Sequence, residues 1–429
     1  MKLSSRLFVV AVVFIIISYI VQQSAHAQGV MLRSVGAVNA SVGGTATAMP
    51  LDASGAIYWN PASISALKKN EMTFGLELIQ PQSRVKSSVP TPDGIFSGST
   101  KGESGVTPVP SMGFVWRKCP HSPITYGLGM GAVGGAASLY PHDTNNPILA
   151  DHGKSATVII LQVTPTVSVK LSDRLSVGVA PIVDLASLNI NPMSLNRPFN
   201  APLDTYGTRY VWGLGFQVGT LYDFKNNFKV GFTFKSPVWA EKLYFTGTKY
   251  GASVDSLTDE AILTATPTSA NFQLNLPMIL SAGISYDGFQ NTIVGLDVRY
   301  HDYANSAGLK KGVNRTGVVE GLDWNSVFTI STGMEHRINN QLKARLGYCW
   351  NQNPIPARSS YLCVSAPMIT QHVFSCGFTY AFARDLEMSA TYSHAFKAKL
   401  TGEIMGLPGT SVTNILSSDA LFMGITKKW

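Results

Sequence analysis

Three patterns in this sequence have residue types and spacings that chemistry could use. Gly129-Met130-Gly131-Ala132-Val133-Gly134 fits G-x-G-x-x-G, the turn that seats a pyrophosphate at a helix N-terminus, and it follows a strand-like run. That chemistry needs a helix next and an acidic residue closing a second strand. Tyr140-Pro141 arrives six residues later instead, so the fingerprint is set aside. Pro141-His142-Asp143 and Ala150-Asp151-His152 bracket one long stretch and offer imidazole and carboxylate donors to a metal, although the same residues suit a polar surface loop. Nucleophilic catalysis would need a serine with a histidine base, but no G-x-S-x-G occurs and the 8 histidines are dispersed. Cys119, Cys349, Cys363 and Cys376 match no metal framework; Cys349 and Cys363 either bridge one loop or remain free thiols. No enzyme activity, metal or cofactor is expected.

The elements that carry these residues alternate. In Leu386 to Phe396, Leu386, Met388, Ala390, Tyr392 and Phe396 share one face while Glu387, Ser389, Thr391 and Ser393 share the other. Period two means a strand with one apolar face. About fourteen such segments follow residue 70, near 71–80, 110–117, 124–136, 155–171, 174–190, 209–224, 228–246, 270–286, 291–304, 324–337, 341–351, 369–382, 386–400 and 419–429. Every second connection is long, as at 81–109, 247–269 and 401–418, with short breaks such as Ser172-Asp173 between. A barrel in an outer membrane has short periplasmic turns and long outer loops, and closure leaves no unpaired edge in lipid. Charged residues are only 14% of the chain against about 25% in soluble proteins. The formal charge of +8 is spread out, which gives nucleic-acid binding no support.

Two segments precede the strands. Residues 1–27 have basic Lys2 and Arg6, an apolar run from Leu7 to Val21 and an Ala25-His26-Ala27 cleavage site, which is the plan of a secretory signal peptide. Residues 28–70 are rich in Gly, Ala, Ser and Thr and end in Asn60-Pro61-Ala62, where proline stiffens a turn. Such a stretch has too little apolar area to fold alone and reads as an irregular plug inside something larger. The expected fold is all-β: a transmembrane antiparallel β-barrel of about fourteen strands over 71–429, with an N-terminal plug over 28–70.

The small-residue stretch closing in Asn60-Pro61-Ala62, Asn275-Leu276-Pro277 inside a strand, Pro354-Ile355-Pro356-Ala357-Arg358 after Trp350-Asn351, and Phe378-Thr379-Tyr380-Ala381-Phe382 resemble, in this order, the FadL/TodX family of outer-membrane transporters for long-chain fatty acids and aromatic hydrocarbons. The resemblance implies passive uptake of hydrophobic small molecules through a barrel closed by a hatch at Asn60, Pro61 and Ala62. The alternative is a structural barrel that partners envelope secretion machinery. Outer-membrane lipid and lipopolysaccharide would surround a single-chain monomer. Gly127, Gly129, Gly131, Gly134 and Gly135 deprive one strand of packing and β-propensity, so the wall should bend there. The resemblance makes that bend a lateral gate at Gly129, Gly131, Gly134 and Gly135. The family's fatty-acid members meet a carboxylate with basic residues inside the barrel, but Ile182 to Ile190 offers only Asp184, Ser187 and Asn189 as polar groups. Arg299, Lys310 and Arg315 remain as substitutes, at strand ends and in loops where side chains are ordinarily solvated. The substrate-binding residues are left unknown.

Overall fold

A computed structural model describes residues 29–197, 203–254, 261–404 and 407–429, so the signal-peptide expectation lies outside the described residues. The chain runs through two short helices, α1 (Ala37–Ser41) and α2 (Ala53–Trp59), and a 3-10 turn, Pro61–Ala66. Strands follow: β1 (Glu71–Thr91), β2 (Gly94–Lys101), β3 (Thr107–Trp116), β4 (Ile124–Tyr140), β5 (Lys154–Lys170), β6 (Leu175–Asn191), β7 (Asp204–Thr208), β8 (Val211–Asp223), β9 (Phe228–Lys235) and β10 (Trp239–Ala240). The rest are β11 (Lys242–Val254), β12 (Ala261–Gln273), β13 (Ile279–Phe289), β14 (Thr292–His301), β15 (Val327–Arg337), β16 (Leu342–Asn351), β17 (His372–Ala381), β18 (Leu386–Ile404) and β19 (Leu407–Lys428).

Fourteen of them close a ring of antiparallel neighbours in the order β8-β6-β5-β4-β3-β1-β19-β18-β17-β16-β15-β14-β13-β9, with β9 returning to β8. Each of the fourteen overlaps one segment expected from alternation, although 228–246 also runs on through β10 into β11 and 270–286 begins in β12. The first and last strands seal the ring in unbroken register from Glu71↔Lys428 to Ser88↔Ser411. Side chains are sorted as in a lipid-embedded barrel. Phe74, Leu76, Leu421, Met423 and Ile425 point outward and are exposed, while Thr73, Glu77, Thr426 and Thr391 point inward and are buried. Lys427 interrupts the outward apolar row of β19 and pairs with Asp385 in the neighbouring short turn.

Three expectations need correction. The long connections are not irregular loops: β1 and β2 form a hairpin above the ring, β18 and β19 stay paired past Thr401↔Thr413, and β7, β11 and β12 form a separate three-stranded sheet. Asn275-Leu276-Pro277 lies between β12 and β13 rather than inside a strand, with one isolated bridge from Leu276 to Val238. Pro277 has no N–H with which to extend a ladder. The plug is also more regular than its composition suggested. Asp52 caps α2 by accepting from Gly55 N (3.2 Å), and Asn60 caps the 3-10 turn by accepting from Ala62 N (3.0 Å), with Pro61 in its first turn.

Candidate functional site

The segment from Gly29 to Leu67 lies inside the ring, and its backbone finds partners on inward-facing polar side chains all around the wall. Thr391 of β18 donates to Ala37 O (2.8 Å), Ser285 of β13 to Ala48 O (2.7 Å) and Ser168 of β5 to Ala62 O (3.0 Å). A buried chain with few side chains of its own must satisfy its peptide groups in this way. Strand glycines let it come close: a Cβ on Gly219 would stand 2.1 Å from Asn60 Oδ1, and one on Gly231 2.2 Å from Thr47 O. Besides capping the 3-10 turn, Asn60 spans plug and wall. Its amide donates to Thr47 O (2.7 Å) and to Thr220 O of β8 (2.9 Å). Pro61 and Ala62 pack where a Cβ on Gly178 would fall within 2.6 Å of them.

A charged lock holds the middle of the plug. Asp297 Oδ2 accepts from Ala46 N (2.8 Å), Thr47 N (3.0 Å) and Thr47 Oγ1 (2.9 Å), and pairs with Arg299 Nη2 (2.5 Å). Arg299 also donates to Gly44 O (2.6 Å), and its guanidinium lies 3.5 Å from the centre of the Trp59 ring. Arg299 is therefore fully buried, against the expectation of a solvated strand-end residue. Burial of a charge requires a partner, and Asp297 supplies it. Lys235 Nζ donates to Tyr58 O (3.1 Å) from 4.0 Å over the Tyr58 ring. Sequence reasoning missed Asp297 and Lys235, because an inward polar position on an alternating strand looks the same whether it meets water or a plug. At the start of α2, burial pushes the Asp52 carboxyl up to about 6.

The glycine-rich strand departs from its neighbour. β3 and β4 pair from Trp116↔Tyr126 to Ser111↔Gly131 and then separate, while β3 continues alongside β1 through Pro108↔Leu78. Pro108 and Pro110 are two apart and so share an edge, and neither has a donor to offer it. On its other side β4 bulges against β5 between Ala132 and Gly134. The edge that β3 vacates is taken by the N-terminal segment: Leu32 N donates to Val133 O (2.8 Å), Gly135 N to Val30 O (3.2 Å), and Met31 bridges Gly134. The glycines divide accordingly. A Cβ on Gly129 would meet Ile57 of α2 at 2.8 Å, so its absence makes room for the plug, whereas one on Gly131 would meet Pro110 O at 2.8 Å at the parting of the strands. A Cβ on Gly134 would stand 2.9 Å from Ile160 and 3.0 Å from Val30 O, and one on Gly135 2.9 Å from Val158 O.

A cavity of about 590 Å³ occupies the parting. Inward-facing Ile79 and Pro81 of β1 line it together with outward-facing Ile159 and Leu161 of β5, so side chains of both faces of the wall surround it. Ala366 to Met368, in the long connection before β17, border it as well. Arg33 is the charged residue in the lining, and its guanidinium is held by Thr370 O (3.0 Å) and Oγ1 (2.7 Å).

Of the metal-donor candidates, His142 and Asp143 find local partners. His142 Nε2 bonds to Ala150 O (2.8 Å), and Asp143 accepts from Thr100 Oγ1 (2.6 Å) and Asn145 N (3.0 Å). Among the described residues no cluster of three His, Cys, Asp or Glu is arranged to hold a metal. All four cysteines are unpaired, with Cys349 and Cys363 buried and Cys119 exposed.

A closed fourteen-stranded barrel with an apolar exterior and a polar-lined, occupied lumen is an outer-membrane channel protein. Residues 18–404 match the family described as outer membrane protein transport protein (OMPP1/FadL/TodX), and the chain belongs to that family. Its fold is shared by the P. putida toluene transporter TodX (16% identity, 93% of this chain and 99% of that one, TM-score 0.69). It is shared too by the Ralstonia pickettii toluene transporter TbuX (16%, 93% and 99%, 0.65) and a Pseudomonas aeruginosa FadL homologue (13%, 94% and 99%, 0.65). No curated protein matches the sequence. Nothing in these likenesses supports the alternative of a partner for secretion machinery.

Proposed function

We propose that this outer-membrane transport protein carries small, uncharged hydrophobic molecules through the parting of β3 and β4, rather than down the axis past the plug, and that it does so as a channel and not as a catalyst. The observation that carries this reading is the cavity of about 590 Å³ lined by inward residues of one strand and outward residues of another. A volume of that size suits a small ligand, and cargo leaving by it reaches the bilayer without crossing water. In this reading Asn60, Pro61 and Ala62 keep the hatch seated, and Gly129, Gly131, Gly134 and Gly135 shape the gate. Two lumen cations are already occupied, Arg299 by Asp297 and Gly44 and Lys235 by Tyr58 O. Arg33, the charged residue of the cavity lining, is held by Thr370 O and Oγ1, and the rest of that lining is uncharged, which favours neutral cargo. Toluene and its kin, carried by the relatives named toluene transporters, fit these terms. The test is uptake by liposomes containing the protein. A neutral aromatic tracer should enter faster than into empty liposomes, and long-chain fatty acid should compete weakly. Equal rates with and without protein would rule out the channel, and strong competition by the acid would rule out the preference.

A further inference from the structure

The outer face of β2, β1, β19 and β18 carries a feature that cargo passage does not use. Lys101 stands directly opposite Arg84, Arg84 opposite Ile415, and Ile415 opposite Lys399, so three cations share one row of the outward face. Lys86 projects from the next row out, and Lys397 projects from a bulge where β18 steps from Ala395 to Ala398 against β19. All five side chains are exposed. Bulges re-aim side chains, and this one turns Phe396 and Lys397 to the surface together.

Like charges opposed across a ladder repel, so the row carries a standing electrostatic cost unless an anion bridges it. Among the described residues no carboxylate does: none of the five forms an ion pair with one, and Arg84 donates to Ser99 Oγ (3.2 Å). Asp419, below the row, is already bonded to Tyr392 OH (2.5 Å), His394 Nδ1 (2.8 Å) and Gln82 Nε2 (3.1 Å). Glu403 lies further out on β18, beyond Lys399.

The height of the row identifies the anion. From Leu386, at the short-turn end of β18, to Lys397 the strand advances eleven residues. At about 3.3 Å per residue and a tilt near 40° this is a rise of roughly 28 Å, just past an apolar band about 25 Å tall. Beneath the cations the outward side chains of the same strands are Phe396, Tyr392 and Leu421, all exposed. The cations therefore stand where the lipid-facing surface ends, on the side of the long connections.

We propose that Arg84, Lys101, Lys397 and Lys399 form a binding site for the phosphorylated headgroup of an outer-leaflet lipid, whose acyl chains lie over Phe396 and Leu421. Charge selects phosphate, and continuity with the apolar face selects a lipid over a free anion. Four adjacent strands span about 14 Å, enough for more than one phosphate group.

The test titrates the full chain in detergent with diphosphorylated lipid A and with its dephosphorylated form, read by native mass spectrometry. The phosphorylated form should bind at least about tenfold more tightly, as several cations near a charged surface would produce. Lys397→Gln with Lys399→Gln, and separately Arg84→Gln with Lys101→Gln, should each remove most of that preference while leaving tracer uptake unchanged. Heat-resistant gel migration reports folding, and two independent pairs guard against one failing to fold. Equal binding of the two lipids, or wild-type binding by folded variants, would overturn the proposal. So would complete displacement by millimolar inorganic phosphate, which would make this an anion site and not a lipid site.

Discussion

Between β5 and β6 the ladder lapses from Val163↔Val183 to Val167↔Val179, with Pro165 and Pro181 facing each other in the lapse, and then resumes. Between β3 and β4 it stops at Ser111↔Gly131, next to Pro110, and does not resume. Proline withholds a donor in both places. At the first the strands keep their register across the lapse. At the second β3 keeps company with β1 while β4 bulges toward β5, and residues 30–32 fill part of the space. A missing donor alone makes a seam, and divergence of the strands opens a cavity beside it. In lipid, unpaired peptide groups each cost several kcal/mol, so a lasting gap needs a lining. The N-terminal segment provides one.

The comparison is broken most directly by filling the cavity. Gly131→Trp or Gly134→Trp should cut hydrophobic uptake about tenfold or more, with the barrel still migrating as a heat-resistant band, because backbone atoms stand within 3.0 Å of either added Cβ. Val179→Trp, on the outward face beside the healed lapse, should leave uptake unchanged. Full transport by both folded glycine variants would return the cargo route to the axis. A smaller effect, a several-fold loss, is expected from Pro108→Val with Pro110→Val, which restores two donors to the edge facing β4. The matching pair Pro165→Val with Pro181→Val should leave uptake alone and raise thermal stability slightly. If both pairs behave alike in uptake, strand divergence is not what distinguishes the two sites.

Asn60→Ala with Pro61→Ala tests the plug instead of the wall. Losing the bonds to Thr47 and Thr220 leaves buried carbonyls unpaired, at about 1–3 kcal/mol each. Small-solute leakage should rise a few-fold in intact barrels; unchanged leakage would reduce the motif to a linker. The smallest effect is on pH. The Asp52 carboxyl is raised from 3.8 to about 6 by burial, so its favourable contribution to seating the plug is complete below 3.8 and lost as pH rises through 6. Leakage through the wild type should be somewhat lower at pH 5 than at pH 7.5. Glu71, which accepts from Ala53 N (2.5 Å), together with Arg345 and Lys428, shares this helix end. Asp52→Asn keeps the cap without the charge and should flatten the difference. A difference as large in the variant would move the titration to another group.

Alternation made the ring of strands legible, because a lipid-facing strand must turn an apolar side chain outward every second residue wherever it sits in the barrel. Leu386 to Phe396 shows this in eleven residues without reference to any neighbour. The plug was legible as a segment too small in side chain to fold alone, and the glycines of β4 as a weak place in the wall. These features could be read from the chain because each depends on local composition or period. The fold was needed for the rest. It showed that Arg299 meets Asp297 and Trp59 instead of water, that Asn60 reaches Thr220 of β8, and that β4 loses its β3 neighbour just where Met31 arrives. Each of these depends on which residues far apart in the chain are brought together. A period of two says which way a side chain points but nothing about what it meets there.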